Sequence, residues 1–124
     1  MTSLDHITLT ASDYRKSMDF YDATLTALGI KRLSTFDEAS GYGIERPFFW
    51  LGLSDGTHPT SQKIHIAFAA SSKKEVDDFY EAALKAGATS NGEPGYREQY
   101  HKGYYAAFVF DPGGHNIEVV YREA

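Results

Sequence analysis

The chain reads as an α+β domain made of two tandem copies of one unit, each a strand, a helix and further strands. Three observations predict this. The first is an internal repeat. His6-Ile7-Thr8-Leu9-Thr10-Ala11-Ser12 aligns with His65-Ile66-Ala67-Phe68-Ala69-Ala70-Ser71, and Phe20-Tyr21-Asp22-Ala23 with Phe79-Tyr80-Glu81-Ala82, both at an offset of 59 residues (6 to 65, 20 to 79). A repeat on this scale decides architecture before any local chemistry does. The second is a switch of hydrophobic period within each copy, from two to between three and four. The third is length: 124 residues can bury one core but not two independent ones. A single domain over 1–124 is therefore expected, with modules at about 1–56 and 62–124.

In the first copy Ile7 and Leu9 alternate with His6, Thr8 and Thr10 over Asp5–Ala11, as in a half-buried strand. Ser12 or Asp13 can cap the helix that follows. Met18, Tyr21, Leu25 and Leu28 form its apolar stripe, and Gly29 ends it. The second copy repeats the plan with a strand over Ile64–Ala70. Ser72-Lys73-Lys74-Glu75 has the form of a capping box, Val76, Phe79, Tyr80, Ala83 and Leu84 make the stripe, and Gly87 ends it.

Further strands are expected at Lys31–Phe36, Gly43–Glu45 and Phe48–Leu53, then at Ala88–Asn91, Tyr104–Phe110 and Asn116–Tyr121. Asp111-Pro112-Gly113-Gly114 marks the last turn, and Gly41 and Gly43 are read as serving a turn. Ser54–Lys63 links the halves, and Gly92–Gly103 is expected to be a loop over a cavity.

Composition narrows the function. A net charge of −5 argues against nucleic acid, which needs a basic face. The absence of cysteine excludes disulfides and thiolate chemistry. Asp5 and His6 interrupt any N-terminal apolar stretch, and no run approaches a membrane span, so a cytoplasmic protein is expected. Nine Tyr and eight Phe suggest a cavity lined with rings.

Strand parity locates that cavity. With Ile7, Leu9, Ile66 and Phe68 turned to the helices, His6 and His65 share the opposite face. In the last strand Ile117, Val119 and Tyr121 alternate with Glu118, which parity places beside the histidines. A mid-strand carboxylate is costly to bury without a partner, and a divalent cation would supply one. Two imidazoles and one carboxylate suit Zn, Ni, Mn, Co or Fe(II) with coordination positions left open for a substrate. The plainer alternative is a pair of core histidines with Glu118 bonded to an Arg. Repeat equivalence and parity together favour the metal site.

Leu4-Asp5-His6-Ile7-Thr8-Leu9 with Phe20-Tyr21, then Ile64-His65-Ile66-Ala67-Phe68, then Asp111-Pro112-Gly113-Gly114-His115-Asn116-Ile117-Glu118 resemble the vicinal oxygen chelate superfamily, also called the glyoxalase/bleomycin resistance/dioxygenase family. That resemblance spans Leu4 to Tyr121. It implies paired βαβββ modules forming a curled mixed sheet around a metal cavity, with helices on the outer face, and places His6, His65 and Glu118 at ligand positions. It also implies that Phe108 faces the cavity, to which parity adds Tyr104, and that two chains form a homodimer in which His6 can come from one and His65 and Glu118 from the other. One position departs from the pattern: glyoxalase I enzymes carry a fourth ligand, a Glu, where Trp50 stands here.

The expected function is a metal-dependent, glyoxalase-like enzyme of lyase or isomerase type, acting on a small oxygenated substrate chelated by the ion. Glu118 or His101 would handle the proton. Trp50, Tyr100, Tyr104 and Phe108 would contact substrate. Two alternatives stand beside it: a metal-free binding protein of the bleomycin-resistance type, and an Fe(II) ring-cleavage dioxygenase, although those usually carry two module pairs. His115 is expected to face solvent in its turn, and His58 has no assigned role.

Overall fold

In the computed structural model, residues 4–55 and 59–124 are described, so His58 lies outside the described residues. The first module runs β1 (Ile7–Ala11), α1 (Tyr14–Thr24), a 3-10 turn (Leu25–Leu28), β2 (Lys31–Thr35), β3 (Ala39–Gly43) and β4 (Pro47–Leu53). The second runs β5 (His65–Ala69), α2 (Lys73–Lys85), β6 (Thr89–Tyr96), β7 (Tyr104–Phe110) and β8 (Asn116–Arg122). Each module is βαβββ and makes its own four-stranded mixed sheet, in the orders β1-β4-β3-β2 and β5-β8-β7-β6. β1 pairs β4 in parallel and β5 pairs β8 in parallel; the other pairs are antiparallel. The expected α+β repeat is the fold.

The helices end where local chemistry dictates. The Asp13 carboxylate accepts from the Lys16 N–H at the start of α1. Ser72 accepts from the Glu75 N–H, while the Glu75 carboxylate reaches back to the Ser71 N–H, one residue beyond the usual reciprocal partner. Gly29 closes the first helical segment at φ 75°, a left-handed conformation that L side chains disfavour.

Inner faces of both sheets and both helices share one core. Leu9, Tyr21, Tyr42, Phe49 and Leu51 of the first module and Phe68, Val76, Phe79, Val109, Ile117 and Val119 of the second belong to a single buried cluster. Rings of Phe49 and Phe68 meet edge-on across the junction at 5.4 Å. A buried hydrogen bond spans it too, from the Tyr21 hydroxyl to Asp111 Oδ2 at 2.5 Å. The opposite faces of the sheets are open: Thr8, His65, Ala67 and Ala69 are exposed, as parity requires.

Four expectations are corrected. Gly41 and Gly43 lie within β3 rather than in a turn, and the turn falls after them. Gly43 is needed where the chain reverses, because a Cβ there would sit 2.0 Å from the Arg46 carbonyl oxygen. Residues 92–96 belong to β6 rather than to a loop; register shifts at Ser90/Gly92 and Gly92/Gly95 accommodate the glycines while β7 supplies the partner. Ile7 is 37% exposed at the sheet edge instead of in the core. His115, expected in solvent, is 2% exposed. Its Nδ1 accepts the Ile64 N–H at 3.2 Å, which pins the start of β5 to the last turn.

Candidate functional site

The open face of the second sheet brings three predicted residues together. β5 and β8 run in parallel with Ala67 opposite Glu118, so His65 and Glu118 project from one face of neighbouring strands. His65 Nε2 lies 2.9 Å from Glu118 Oε1. The Tyr104 hydroxyl donates to Glu118 Oε2, reaching along the sheet from the end of β7. Glu118 is 3% exposed, and among the described residues His65 is its one ion-pair partner. Phe108 stands directly opposite Glu118, with its ring 6.3 Å from the His65 ring. Burial, and then the bond to Glu118, push the Tyr104 hydroxyl up to about 12.

No arginine neutralises the carboxylate. Arg122 lies two residues on from Val120 along the same strand, but its guanidinium sits over the Tyr104 ring at 4.9 Å. Arg97 lies over the Phe108 ring at 5.4 Å and donates to the Gly95 and Glu93 carbonyls. The alternative of Glu118 paired to an Arg is therefore not what the structure holds. A buried carboxylate bonded, among the described residues, to an imidazole and a phenol alone is an acceptor suited to a cation.

His6 is placed differently. Its Nδ1 lies 2.7 Å from Asp5 Oδ1, and Arg46 donates to Asp5 Oδ2. The bond from His6, followed by Arg46, holds the Asp5 carboxyl below its ordinary value. His6 and His65 line one cleft of about 330 Å³ between the modules, with Leu4, Phe48 and Ala67 among its walls. Among the described residues no three His, Asp or Glu side chains cluster closely enough to hold a metal ion.

The donor set still has the character a divalent ion needs. The His65–Glu118 separation is one that two ligands of a single ion could span, and with Nδ1 turned to Asp5 the His6 Nε2 is the nitrogen that could ligate. His65 and Glu118 lie together in one chain, and among the described residues His6 does not join them.

On the open face of the first sheet, Trp50 lies across Gly41, where a Cβ would come within 2.8 Å of its indole. The Phe36 ring, 63% exposed, is nearly parallel to it at 6.3 Å and 17°. No signal in the sequence marks Phe36, and Gly41 is marked only as a turn glycine, since both act through a ring across the sheet that periodicity does not register. Tyr100 packs edge-on against Tyr104 at 5.3 Å. His101 lines a separate depression with Tyr96, Glu98 and Glu123, and its Nδ1 faces the Lys102 carbonyl.

The sequence profile described as the Glyoxalase/Bleomycin resistance protein/Dioxygenase superfamily matches residues 3–119. The chain belongs to that superfamily. Similar solved structures agree in fold. A glyoxalase/bleomycin resistance protein from Albidiferax ferrireducens T118 is 28% identical over 95% of this chain and 98% of that one, with a TM-score of 0.84. The lactoylglutathione lyase from Agrobacterium tumefaciens is 18% identical, covering 98% and 94% of the two chains at a TM-score of 0.70. A glyoxalase/bleomycin resistance protein/dioxygenase family enzyme from Burkholderia phytofirmans PsJN is 18% identical, covering 98% and 100% at 0.73. At these two lower identities the likeness is one of fold alone. No curated protein matches the chain. Among the described residues, no helix of this superfamily member is long and apolar enough to cross a membrane.

Proposed function

We propose that the protein is a metal-dependent, glyoxalase-like enzyme acting on a small oxygenated substrate, with His65, Glu118 and His6 as the protein ligands of a divalent ion. The observation that carries this reading is the buried Glu118, held 2.9 Å from His65 with no arginine to neutralise it. When bound, the ion would act as a Lewis acid on adjacent substrate oxygens. His65 and Glu118 would fix its position on the second sheet. A Glu118 displaced from the ion, or His101, would take the proton removed from the substrate, while Trp50 and Phe36 would offer a flat apolar wall to its carbon frame.

The site is a shared one in this reading. Both inner faces are committed to a common core, and the open faces carry His6 in one module and His65–Glu118 in the other. A homodimer that brings the first module of one protomer against the second module of its partner supplies the missing histidine. Such a dimer also covers β1 and β5, which are edge strands of their sheets.

Complementation tests the whole proposal. His6→Ala and Glu118→Gln chains, each unable to bind metal alone, are mixed under conditions that exchange protomers. Shared sites predict recovery of one metal-binding site per heterodimer, read by metal analysis after gel filtration. No recovery in a mixture shown to contain heterodimers removes the shared site. Wild-type protein that binds no Mn, Zn, Ni or Fe(II) stoichiometrically removes the metal, leaving a binding protein that uses the same aromatic wall.

A further inference from the structure

We propose that Tyr104 is a positioning residue for Glu118: its hydroxyl fixes Oε2 and its ring holds off Arg122, so that Oε1 alone is presented beside His65 to an incoming cation. This inference rests on the metal reading above and deepens it.

A glutamate carboxylate turns easily about its last torsion, where the energy wells are broad. One hydrogen bond leaves that rotation loose, whereas bonds on separate oxygens stop it. Glu118 has such a pair, His65 on Oε1 and Tyr104 on Oε2. Tyr104 is itself held. Its ring has Tyr100 edge-on at 5.3 Å and the Arg122 guanidinium over it at 4.9 Å. Ala106, the small and fully buried residue between Tyr104 and Phe108 on that face, leaves the phenol room to lean along the sheet toward Glu118.

The ring has a second effect. Arg122 stands directly opposite Tyr104 in the β7–β8 ladder and four residues beyond Glu118 on the same face of β8. Without an aromatic surface to occupy it, that cation would be free to pair with Glu118 and to compete with a metal. The cation–π contact holds it one ring away. The phenol therefore orders the ligand oxygen and separates it from a rival cation.

The test uses the full-length protein, treated with chelator and then titrated with Mn(II). In Tyr104→Phe the ring remains and only the hydroxyl is lost. Mn(II) affinity is expected to fall about 10–100-fold, the range seen for outer partners of metal ligands. In the metal-free protein the ¹⁵N resonances of the His65 ring are expected to move, because Oε1 is no longer held against Nε2, while circular dichroism stays unchanged. Arg122→Met keeps the hydroxyl and should lower affinity less than Tyr104→Phe. Wild-type affinity together with a wild-type imidazole spectrum in Tyr104→Phe overturns the proposal, as does a greater loss in Arg122→Met. If wild-type protein takes up no Mn(II) or Zn(II), the metal reading fails by itself. The imidazole spectrum then decides alone, a shifted one supporting the hold on Glu118 and an unshifted one ending it.

Discussion

Trp50 and Glu118 occupy the same place in the two halves. Trp50 stands opposite Thr8 in the β1–β4 pair, and Glu118 stands opposite Ala67 in the β5–β8 pair, where Thr8 and Ala67 are repeat equivalents. Their antiparallel neighbours are equivalent as well: Gly41 lies opposite Trp50, and Phe108 opposite Glu118. In one half a large ring covers a glycine; in the other a carboxylate stands beside a large ring. The two open faces thus carry different chemistry on one backbone plan, a wall in the first module and an acid in the second.

Gly41→Ala tests the wall. The new Cβ would fall 2.8 Å from the indole, so Trp50 must lift from the sheet. A loss of about 1–3 kcal/mol is expected, as for overpacking elsewhere. Trp50 is the sole tryptophan, so its emission should shift and report the displacement directly. An unchanged spectrum and stability would show that the indole does not lie where it is described.

Glu118→Gln separates binding from stability. The neutral amide is easier to bury than a carboxylate without a cation, so metal-free protein should gain about 1 kcal/mol, or roughly 4 °C in Tm. Mn(II) affinity should drop by more than ~100-fold, since a lost ligand outweighs a lost outer partner. Calorimetry and metal titration on the same sample read both. A loss of stability with Mn(II) affinity unchanged would make Glu118 a structural residue.

Alkaline pH should weaken the protein through its buried phenols. Burial, and then the charge on Asp111, raise Tyr21 well above its ordinary value. Burial, and then the hydrogen bond to Asp22, raise Tyr42 likewise. Both bind a proton more tightly folded than unfolded, so their contribution is complete below the unfolded value of about 10 and is lost as pH rises beyond it. The urea midpoint should therefore fall between pH 8 and pH 11. Tyr21→Phe should cost about 1.5–3 kcal/mol at pH 8 and lose less than wild type on going to pH 11. Parallel losses in both proteins would remove Tyr21 from the effect.

Sedimentation velocity at micromolar concentration should show a dimer. If its interface is obligate it should bury well over ~1,000 Å². A monomer that binds one metal ion per chain would require His6 to reach His65 and Glu118 within the chain.

Much of this was legible before any coordinates. Periodicity and parity placed Leu9, Phe68, Ile117 and Val119 inside, and set His65 beside Glu118, because strand faces follow from alternation alone. What escaped depends on long-range pairing. β6 continues through Gly92, Pro94 and Gly95, which local preference reads as loop, because β7 offers it a ladder. His115 looks like a turn residue, yet the edge of β5 needs its ring as an acceptor. The bond from the Tyr104 hydroxyl to Glu118 depends on how far a phenol leans along a sheet, which no spacing rule records.

The shared interior also bears on how such a chain can change. Its halves look like products of a duplication, but they are no longer independent: Phe49 packs on Phe68, and Tyr21 is bonded to Asp111 across the junction. A substitution on either inner face is felt by both copies, so drift there is held in check from two sides. The outward faces do not pack on each other within the chain, and there the copies differ, one carrying an acid and the other an indole at the equivalent position. Excising either half would expose the apolar face that it shares with the other. New specificities would be expected to arise on the outward faces, with the interior conserving the ancestral plan.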